Sequence, residues 1–266
     1  MPDKRLIVTG DGTLSLFCDE YGEAMHSISG AYEESLLKHV YPSKITGIKT
    51  SPVCVLDIGF GLGYNILALM AEINRTSPGP FLNVISLEKD TTNREYLGSI
   101  RFNDYRDEYY KIIQMAYKAG YFSTENMDIK ILFADARQSV IKLEGLKFNA
   151  IFHDPFSPSK NPELWSLDFF RQLHRLTAED GILTTYSSAP QIRSALVKAG
   201  FVIGRGPSVG KKREGTIACR GVIIEPIPSD EIDCLLSNKK SAPYRDPDLN
   251  AAKEKILKRR KEEMKK

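Results

Sequence analysis

The stretch Val53–Asn65, VCVLDIGFGLGYN, decides the fold class of this chain of 266 residues. A short apolar run reaches Asp57, the chain then turns through three glycines, and a helical pattern of apolar residues begins at Ile66. A strand, a tight glycine turn and a helix in this order open a Rossmann-like α/β fold. Because glycine has no Cβ atom, a ligand can approach the backbone of such a turn closely.

The glycine spacing separates two classes of cofactor. A dinucleotide fingerprint, G-x-G-x-x-G, read from Gly59 would need a third glycine where Tyr64 stands. The chain instead has an acid, Asp57, followed by Gly59, Gly61 and Gly63, a pattern associated with S-adenosylmethionine (SAM) methyltransferases. A methionine tail needs backbone donors for its carboxylate and acceptors for its ammonium group, and we expect Asp57 to help bind the ammonium, directly or through water. A structural turn that binds no ligand is the alternative.

Composition narrows the class of protein. The formal net charge is only +3, which by itself says little about nucleic acid. The sequence has no apolar run of about 18 residues, so no membrane partner is expected, and its N-terminus has no apolar signal region. Its four cysteines are widely spaced without a C-x-x-C pair; we expect reduced thiols, no metal and a cytoplasmic protein.

Alternating strand and helix patterns predict the domain organisation. Residues 1–50 are interpreted as an N-terminal extension with a hairpin and a helix. Residues 51–226 are predicted to form a SAM-dependent methyltransferase domain with a seven-stranded, mostly parallel sheet. Residues 227–266 are predicted to be a charged C-terminal tail, and its mixed charges favour a solvated helix over an arm that binds nucleic acid.

Acids stand at the ends of four predicted strands: Asp57, Glu88, Asp135 and Asp154. Ligands of doubly wound sheets bind at the carboxyl ends of the strands. We expect Glu88 to accept hydrogen bonds from both ribose hydroxyls, and Asp135 with Ala136 to meet the adenine edge. The alternative is that each acid caps the helix that follows it.

The loop after the fourth strand, residues 153–162, is the candidate reaction site. Its prolines make it stiff, and a stiff loop suits a methyl transfer, which requires a nucleophile in line with the S–CH3 bond. Asp154 is predicted to accept a hydrogen bond from an amine nucleophile, and Phe156 to wall the pocket. The alternative for Asp154 is that the loop is a rigid connector in which this acid caps a turn. For His153, the alternative to a role at the site is a buried, neutral position under the loop.

These considerations give two sets of candidate site residues. Those assigned to the cofactor are Asp57, Gly59, Gly61, Gly63, Asn65, Glu88, Asp135, Ala136 and Asp154, of which Asp154 is also the catalytic candidate. Those assigned to the substrate are Phe156, Lys160, Lys211, Lys212 and Arg213. The last three form a basic loop suited to phosphate contact, although a solvated loop is an equal alternative.

The motifs together resemble the methyltransferase half of MnmC, the bacterial tRNA 5-methylaminomethyl-2-thiouridine biosynthesis enzyme. The resemblance spans roughly residues 20 to 220. It is carried by the segments Asp57–Asn65, Asp154–Trp165, Thr184–Ala189 and Gly210–Glu214. Its most specific part is the second, DPFSPSKNPELW.

The resemblance implies an activity that the residues alone do not. It implies methylation of the 5-aminomethyl amine of wobble uridine in tRNA, with SAM as donor. Bifunctional members also carry a flavin-dependent oxidase domain, and no second glycine-rich nucleotide loop follows here, so the methylation step alone is expected. Three other hypotheses stay open: an aminopropyltransferase similar to spermidine synthase, a SAM- or RNA-binding module without catalysis, and a nicotinamide oxidoreductase, which Tyr64 disfavours.

Overall fold

The structure, a computed structural model, describes residues 4–75, 79–208 and 214–265. Within these residues, a central sheet of eight strands is covered by helices, and a three-stranded sheet lies at the N-terminus. The strands are β1 Lys4–Val8, β2 Leu14–Cys18, β3 Glu23–Ala24, β4 Val53–Ile58, β5 Leu82–Glu88, β6 Tyr121–Ser123, β7 Met127–Phe133, β8 Phe148–His153, β9 Thr177–Thr185, β10 Val202–Arg205 and β11 Thr216–Cys219. The α-helices are α1 Ala31–Ser35, α2 Tyr64–Ile73, α3 Arg94–Ser99, α4 Arg106–Ala119, α5 Ala136–Lys142, α6 Leu167–Leu176, α7 Pro190–Ala199, α8 Ser229–Ser237 and α9 Lys253–Glu263.

The central sheet has the order β10-β11-β9-β8-β4-β5-β7-β6. Strands β9, β8, β4, β5 and β7 are parallel, and the remaining three pair antiparallel. The predicted α/β class and mostly parallel sheet are confirmed, but the predicted number of seven strands is too low by one, because the short edge strand β6 gives almost no apolar pattern. Helix α2 packs on one face of the sheet and α6 on the other. Strand order reverses between β4 and β8, and this switch point is where such sheets bind ligands.

The last strand is shorter than its apolar run suggests. An extended strand over residues 216–225 is predicted, but β11 ends at Cys219. Only residues 216–219 pair with both β9 and β10, and the exposed Val222 has no strand partner.

The N-terminal extension contains the predicted hairpin, β1 paired with β2. The predicted helix over residues 31–40 also forms, but its second half, Leu36–Val40, is a π-helix, in which the Tyr41 N–H donates to the Leu36 carbonyl at 3.0 Å. Such wide turns are rare and often occur at functional sites. Here the π-helix carries Lys38 and His39, which are 2% and 1% exposed, into the interior.

The C-terminal segment is not a free tail. Asp246 is fully buried, where it accepts a hydrogen bond from Arg137 Nη1 at 2.8 Å. Asp168 on α6 binds Arg245 through Nε at 3.0 Å, and Ile256 of α9 is buried as well. These ion pairs and apolar contacts fasten the segment to α5 and α6, although most of α9 faces solvent as expected. No helix in the described part of the chain is long and apolar enough to cross a membrane.

Candidate active site

A cavity of about 470 Å³ opens at the carboxyl ends of β4, β5, β7 and β8. The glycine loop after β4 forms one wall, and the loop after β8 forms another. Residues of the N-terminal extension and the first residue of α9 complete the lining. The cavity therefore lies at the switch point of the sheet and draws on segments from both ends of the chain.

The structure brings most of the predicted site residues to this cavity. Those that line it are Gly59, Gly61, Glu88, Asp135, Ala136, Asp154, Phe156 and Lys160. Asp57, Gly63 and Asn65 do not line it. Lys211, Lys212 and Arg213 lie outside the described residues, so their predicted role stays a prediction.

Two glycines of the loop are required for different reasons. Gly61 has φ +54°, and a Cβ atom there would lie 3.7 Å from the sulfur of Met25, so its open side faces the cavity. Gly63 has φ +77°, and a Cβ atom there would lie 2.5 Å from Cγ2 of Ile113 on α4. Gly61 thus keeps the cavity open, whereas Gly63 allows close packing beneath it.

Glu88 ties the end of β5 to the glycine loop. Its Oε2 accepts a hydrogen bond from the Gly61 N–H at 2.8 Å, and its Oε1 accepts one from the Asp90 N–H at 2.7 Å. Burial raises the pKa of Glu88, while these backbone donors counteract the rise. Each carboxylate oxygen has a second lone pair, so both remain able to accept a ligand hydroxyl.

Asp135 caps the start of helix α5, which is the alternative role predicted for an acid at a strand end. Its carboxylate accepts a hydrogen bond from the Arg137 N–H at 2.9 Å at the start of α5, and from Arg137 Nη2 at 2.8 Å. Burial would raise the pKa of Asp135, but Arg137 holds it below its usual value. Contact of Asp135 with an adenine edge stays a prediction, since Arg137 already binds both of its oxygens.

Asp57 lies beneath the glycine loop and is fully buried. It accepts hydrogen bonds from Ser86 Oγ at 2.6 Å and from Asn65 Nδ2 at 3.3 Å. Asp57 does not line the cavity, and both of its oxygens already accept hydrogen bonds, so its expected contact with a ligand ammonium, directly or through water, stays a prediction. The pKa of Asp57 is raised to about 7. Burial is the main cause and nearby Asp154 adds to it, whereas the hydrogen bonds from Ser86 and Asn65 act in the opposite direction.

Asp154 presents a carboxylate to the cavity, with its side chain 19% exposed. Asn65 Nδ2 donates to its Oδ2 at 3.2 Å, and His39 Nε2 lies 3.6 Å from its Oδ1. Burial alone would raise the pKa of Asp154, but His39 and Asn65 hold it below its usual value. The group is therefore an anion at neutral pH.

Side chains hold the loop after β8 at several points. Tyr186 Oη donates to the carbonyl of Pro155 at 2.9 Å, and Trp165 Nε1 donates to the carbonyl of Phe156 at 2.8 Å. Beneath the loop, His153 is fully buried and bonds the Leu164 carbonyl through Nε2 at 2.8 Å. Burial lowers the pKa of His153 to about 4, so it is neutral, as the alternative interpretation expected.

The N-terminal extension closes over the same loop. Tyr21 stacks on Phe156 with ring centroids 4.1 Å apart and an interplanar angle of 13°. Glu23 accepts hydrogen bonds from the hydroxyl and the N–H of Ser157. These contacts make the extension part of the site, although sequence analysis gave it no site residue.

Several lining residues were missed at the sequence level. They are Tyr21, Met25 and His26 of the extension, Glu163 of the loop after β8, and Lys253 of α9. His39, behind Asp154, was also missed. Glu163 lies within the family-like segment Asp154–Trp165, but no local pattern joins Tyr21 or His39 to the loop after β8, which lies more than a hundred positions away.

Charges around the cavity favour a cationic ligand. The acidic lining residues are Glu20, Glu88, Asp90, Asp135, Asp154 and Glu163, and the basic ones are Lys89, Arg137, Lys160 and Lys253. SAM carries a sulfonium and an ammonium against one carboxylate, so an acid-rich cavity with exposed loop backbone fits it. Within residues 4–75, 79–208 and 214–265, no group of three or more His, Cys, Asp or Glu side chains is arranged to hold a metal ion.

Comparison with known proteins assigns the family. The structure matches the crystal structure of MnmC2 from Aquifex aeolicus with a TM-score of 0.88 and 31% sequence identity, over 100% of this chain and 86% of that one. The chain belongs to the MnmC2 family. Residues 101–221 also match the family described as S-adenosyl-L-methionine-dependent methyltransferase.

Two curated relatives extend the comparison. An uncharacterized protein of Methanocaldococcus jannaschii is 35% identical over 264 residues, which are 97% of this chain and 71% of that protein. The tRNA 5-methylaminomethyl-2-thiouridine biosynthesis bifunctional protein MnmC of Burkholderia vietnamiensis is 30% identical over 233 residues, 80% of this chain. The match spans only 35% of that bifunctional protein. This member of the MnmC2 family is therefore a SAM-dependent methyltransferase, which sets aside the aminopropyltransferase and oxidoreductase hypotheses.

Proposed function

We propose that this enzyme methylates the primary amine of 5-aminomethyl(-2-thio)uridine at the wobble position of tRNA, giving 5-methylaminomethyl(-2-thio)uridine. The observation that carries the proposal is the position of Asp154, an anionic carboxylate at the cavity beside the stacked rings of Phe156 and Tyr21. A carboxylate recognises an amine, and an aromatic face recognises an unstacked base. The substrate itself is taken from the name of the MnmC relatives.

The lining residues divide between donor and acceptor. We assign Gly59, Gly61, Glu88 and Ala136 to the donor, as the backbone and carboxylate groups that would hold its amino-acid tail and nucleoside. When bound, SAM supplies an electrophilic methyl group. The remaining steps belong to the protein: it must orient the amine, remove its proton and exclude water.

Asp154 is assigned the role of orienting and deprotonating the amine. An alkylamine in water is mostly an ammonium ion, whose nitrogen has no free electron pair. A carboxylate that accepts one N–H bond holds the nitrogen in place, and it can receive the proton that must leave before attack. Desolvation and a nearby positive charge both lower the pKa of the amine, which favours that transfer.

RNA contacts are proposed for two sets of basic residues. Lys160 lines the cavity, and within the described residues no carboxylate lies within ion-pair distance of its ammonium group. It is therefore available for a phosphate. The same role is proposed, from their charge alone, for Lys211, Lys212 and Arg213, which lie outside the described residues. A tRNA substrate would also place the enzyme in the cytoplasm.

The test is methylation of tRNA taken from cells that lack the modification, followed by nucleoside mass spectrometry. We expect a gain of one methyl group on 5-aminomethyl(-2-thio)uridine. Asp154→Asn should lower kcat on the order of 10²- to 10⁴-fold and leave SAM binding, measured by calorimetry, nearly unchanged. Asp180→Asn, an exposed acid on β9, is the matched control.

Each other outcome has a distinct meaning. Methylation of a different nucleoside would reassign the substrate, and SAM binding without a methylated product on any tRNA would contradict the proposed reaction. An unchanged rate for Asp154→Asn would show that the reacting amine is held elsewhere.

A further inference from the structure

We propose that His39 is a positioning residue for Asp154: it donates its Nε2–H to Oδ1 of Asp154 and so fixes the carboxylate toward the substrate amine. This inference rests on the proposed function and adds to it a residue that no sequence pattern indicated. His39 lies on the π-helical turn Leu36–Val40, outside the predicted methyltransferase domain.

The imidazole of His39 is buried, and each of its two nitrogens faces a polar atom. His39 is 1% exposed. Its Nδ1 lies 2.9 Å from Thr184 Oγ1 on β9. Its Nε2 is a buried atom with no hydrogen-bond partner in the described part of the chain, and it faces Asp154 Oδ1 at 3.6 Å. A buried polar atom without a partner is costly, so its direction toward the site calls for a functional reason.

The two oxygens of the Asp154 carboxylate face different neighbours. Asn65 Nδ2 already donates to Oδ2 at 3.2 Å, which leaves Oδ1 as the oxygen that faces His39. A distance of 3.6 Å is longer than a hydrogen bond but within reach of a small side-chain rotation. Hydrogen bonds of catalytic groups are often long in the absence of substrate and shorten in the reactive complex.

In the proposed arrangement, Thr184 sets which imidazole nitrogen of His39 carries the proton, because its hydroxyl can either donate to Nδ1 or accept from it. If the Thr184 hydroxyl donates to Nδ1, the ring must carry its hydrogen on Nε2, the nitrogen that faces Asp154. The opposite tautomer would point a lone pair at a carboxylate and is repelled. Thr184, His39 and Asp154 thus form a chain in which a hydroxyl sets a tautomer and the imidazole orients an acid.

Other ionisable groups near His39 must be considered in any pH experiment. Asp57 on β4 and His153 on β8 interact electrostatically with His39. His26 of the N-terminal extension interacts electrostatically with Asp154 and lowers its pKa. On the π-helix itself, Lys38 is directed elsewhere, with Nζ donating to the Pro207 carbonyl at 2.7 Å. His39 Nε2 lies within ion-pair distance of the Asp154 carboxylate, at 3.6 Å.

Variants of His39 should differ in rate according to whether they keep an N–H donor. His39→Ala should lower kcat on the order of 100-fold, as expected for a misplaced catalytic group, with an unchanged KM for SAM. The acid limb of its pH profile should move to higher pH, because burial then acts on Asp154 without the donor that opposes it. His39→Gln, which keeps an N–H donor, should restore most of the rate and the original limb, and His174→Gln on α6 is the control for loss of a histidine.

A second measurement does not depend on turnover. Nitrogen-15 NMR of the histidines should show His39 with its proton on Nε2, and Thr184→Val should release that tautomer. Carbon-13 titration of aspartate carboxyls should give Asp154 a higher pKa in His39→Ala than in the wild type, and a restored pKa in His39→Gln.

The two proposals fail in different ways. If wild-type enzyme yields no methylated nucleoside, the proposed function is wrong, while the tautomer and the carboxyl titration still test His39. If tRNA is methylated but the pKa of Asp154 is the same in all variants, or His39 carries its proton on Nδ1 alone, the positioning role is overturned.

Discussion

The ring of Tyr21 lies parallel to the ring of Phe156, with centroids 4.1 Å apart, and so joins the N-terminal extension to the loop that carries Asp154. Parallel stacking at this distance is a favourable arrangement of two aromatic rings. Burial raises the pKa of the Tyr21 hydroxyl to about 12, and the neighbouring Glu20 raises it as well, so the ring stays neutral. Because both rings line the cavity, they form a platform on which a base could stack.

Removing either ring should weaken RNA binding more than SAM binding. We expect Tyr21→Ala and Phe156→Ala to raise the KM for tRNA about tenfold or more, since stacking on an aromatic side chain contributes roughly 1–3 kcal/mol per base. Steady-state kinetics with each substrate varied in turn measure the effect. Tyr121→Ala, a half-exposed tyrosine on the edge strand β6, is the control, and an equal rise in both KM values would contradict a role specific to the base.

Alanine substitutions at the two loop glycines should differ in their effects on stability and on ligand binding. Gly63→Ala places a Cβ atom 2.5 Å from Ile113, so we expect a clear loss of stability and a lower Tm. Gly61→Ala shares the strain of a positive φ but meets only Met25, at 3.7 Å, so it should lose less stability than Gly63→Ala. Because its Cβ atom projects into the cavity, it should also weaken SAM binding. Thermal unfolding without ligand measures the loss of stability, and calorimetry with SAM measures the loss of binding. A larger loss of stability in Gly61→Ala and a larger loss of SAM binding in Gly63→Ala would show that the roles of the two glycines are assigned wrongly.

Asp57 should make the protein less stable as pH rises. The pKa of this carboxyl is about 7 in the fold, against an ordinary value of 3.8, so between these values the folded state holds a proton that the unfolded chain has released. The associated stability is complete below about pH 4 and is lost by about pH 7, by up to roughly 4 kcal/mol.

Asp57→Asn keeps the shape of the side chain and removes the titration; its amide oxygen can accept from Asn65, and its amide nitrogen can donate to the Ser86 hydroxyl. Urea unfolding from pH 5 to pH 8 should show a flatter free energy of unfolding for this variant than for the wild type. The exposed Asp180→Asn serves as control. A pH dependence that is equally steep in Asp57→Asn would place the titrating group elsewhere.

The buried ion pair of Asp246 with Arg137 should control the C-terminal wall of the cavity. Asp246 also accepts the N–H of Ala251 at 3.0 Å, just before α9 brings Lys253 to the lining. Asp246→Ala should cost about 3 kcal/mol, because it leaves buried donors without partners, and lower Tm by roughly 6–12 °C. The KM for SAM should rise too, whereas the exposed Asp248→Ala should change neither quantity; a normal KM with a lowered Tm would exclude the segment from the donor site.

Local pattern was sufficient for the central elements of the fold. The apolar run that ends at Asp57, the glycines and the start of α2 are adjacent in sequence, so their geometry follows from short-range sterics and backbone hydrogen bonding. Acids at strand ends were located for the same reason, because parallel strands bring their carboxyl ends to one edge. Glu88 and Asp154 accordingly line the cavity as predicted.

The direction of individual side chains did not follow from that pattern. Asp57 occupies the position of a ligand-binding acid, yet it points into a polar network with Ser86 and Asn65. Asp135 is committed to capping α5 and to Arg137. Which neighbour satisfies a carboxylate depends on the rotation of the strand and on the packing around it, and neither is encoded in spacing.

The sequence by itself determined the α/β class, the glycine loop and the row of acids, because each depends on residues that are close in the chain. Only the tertiary structure brought His39 beside Asp154, Tyr21 onto Phe156 and Lys253 into the cavity wall. These partners are separated by about a hundred residues or more, and their contacts depend on how the two terminal segments pack against the sheet. That packing is set by the summed burial and pairing of many groups, so no short motif could reveal it.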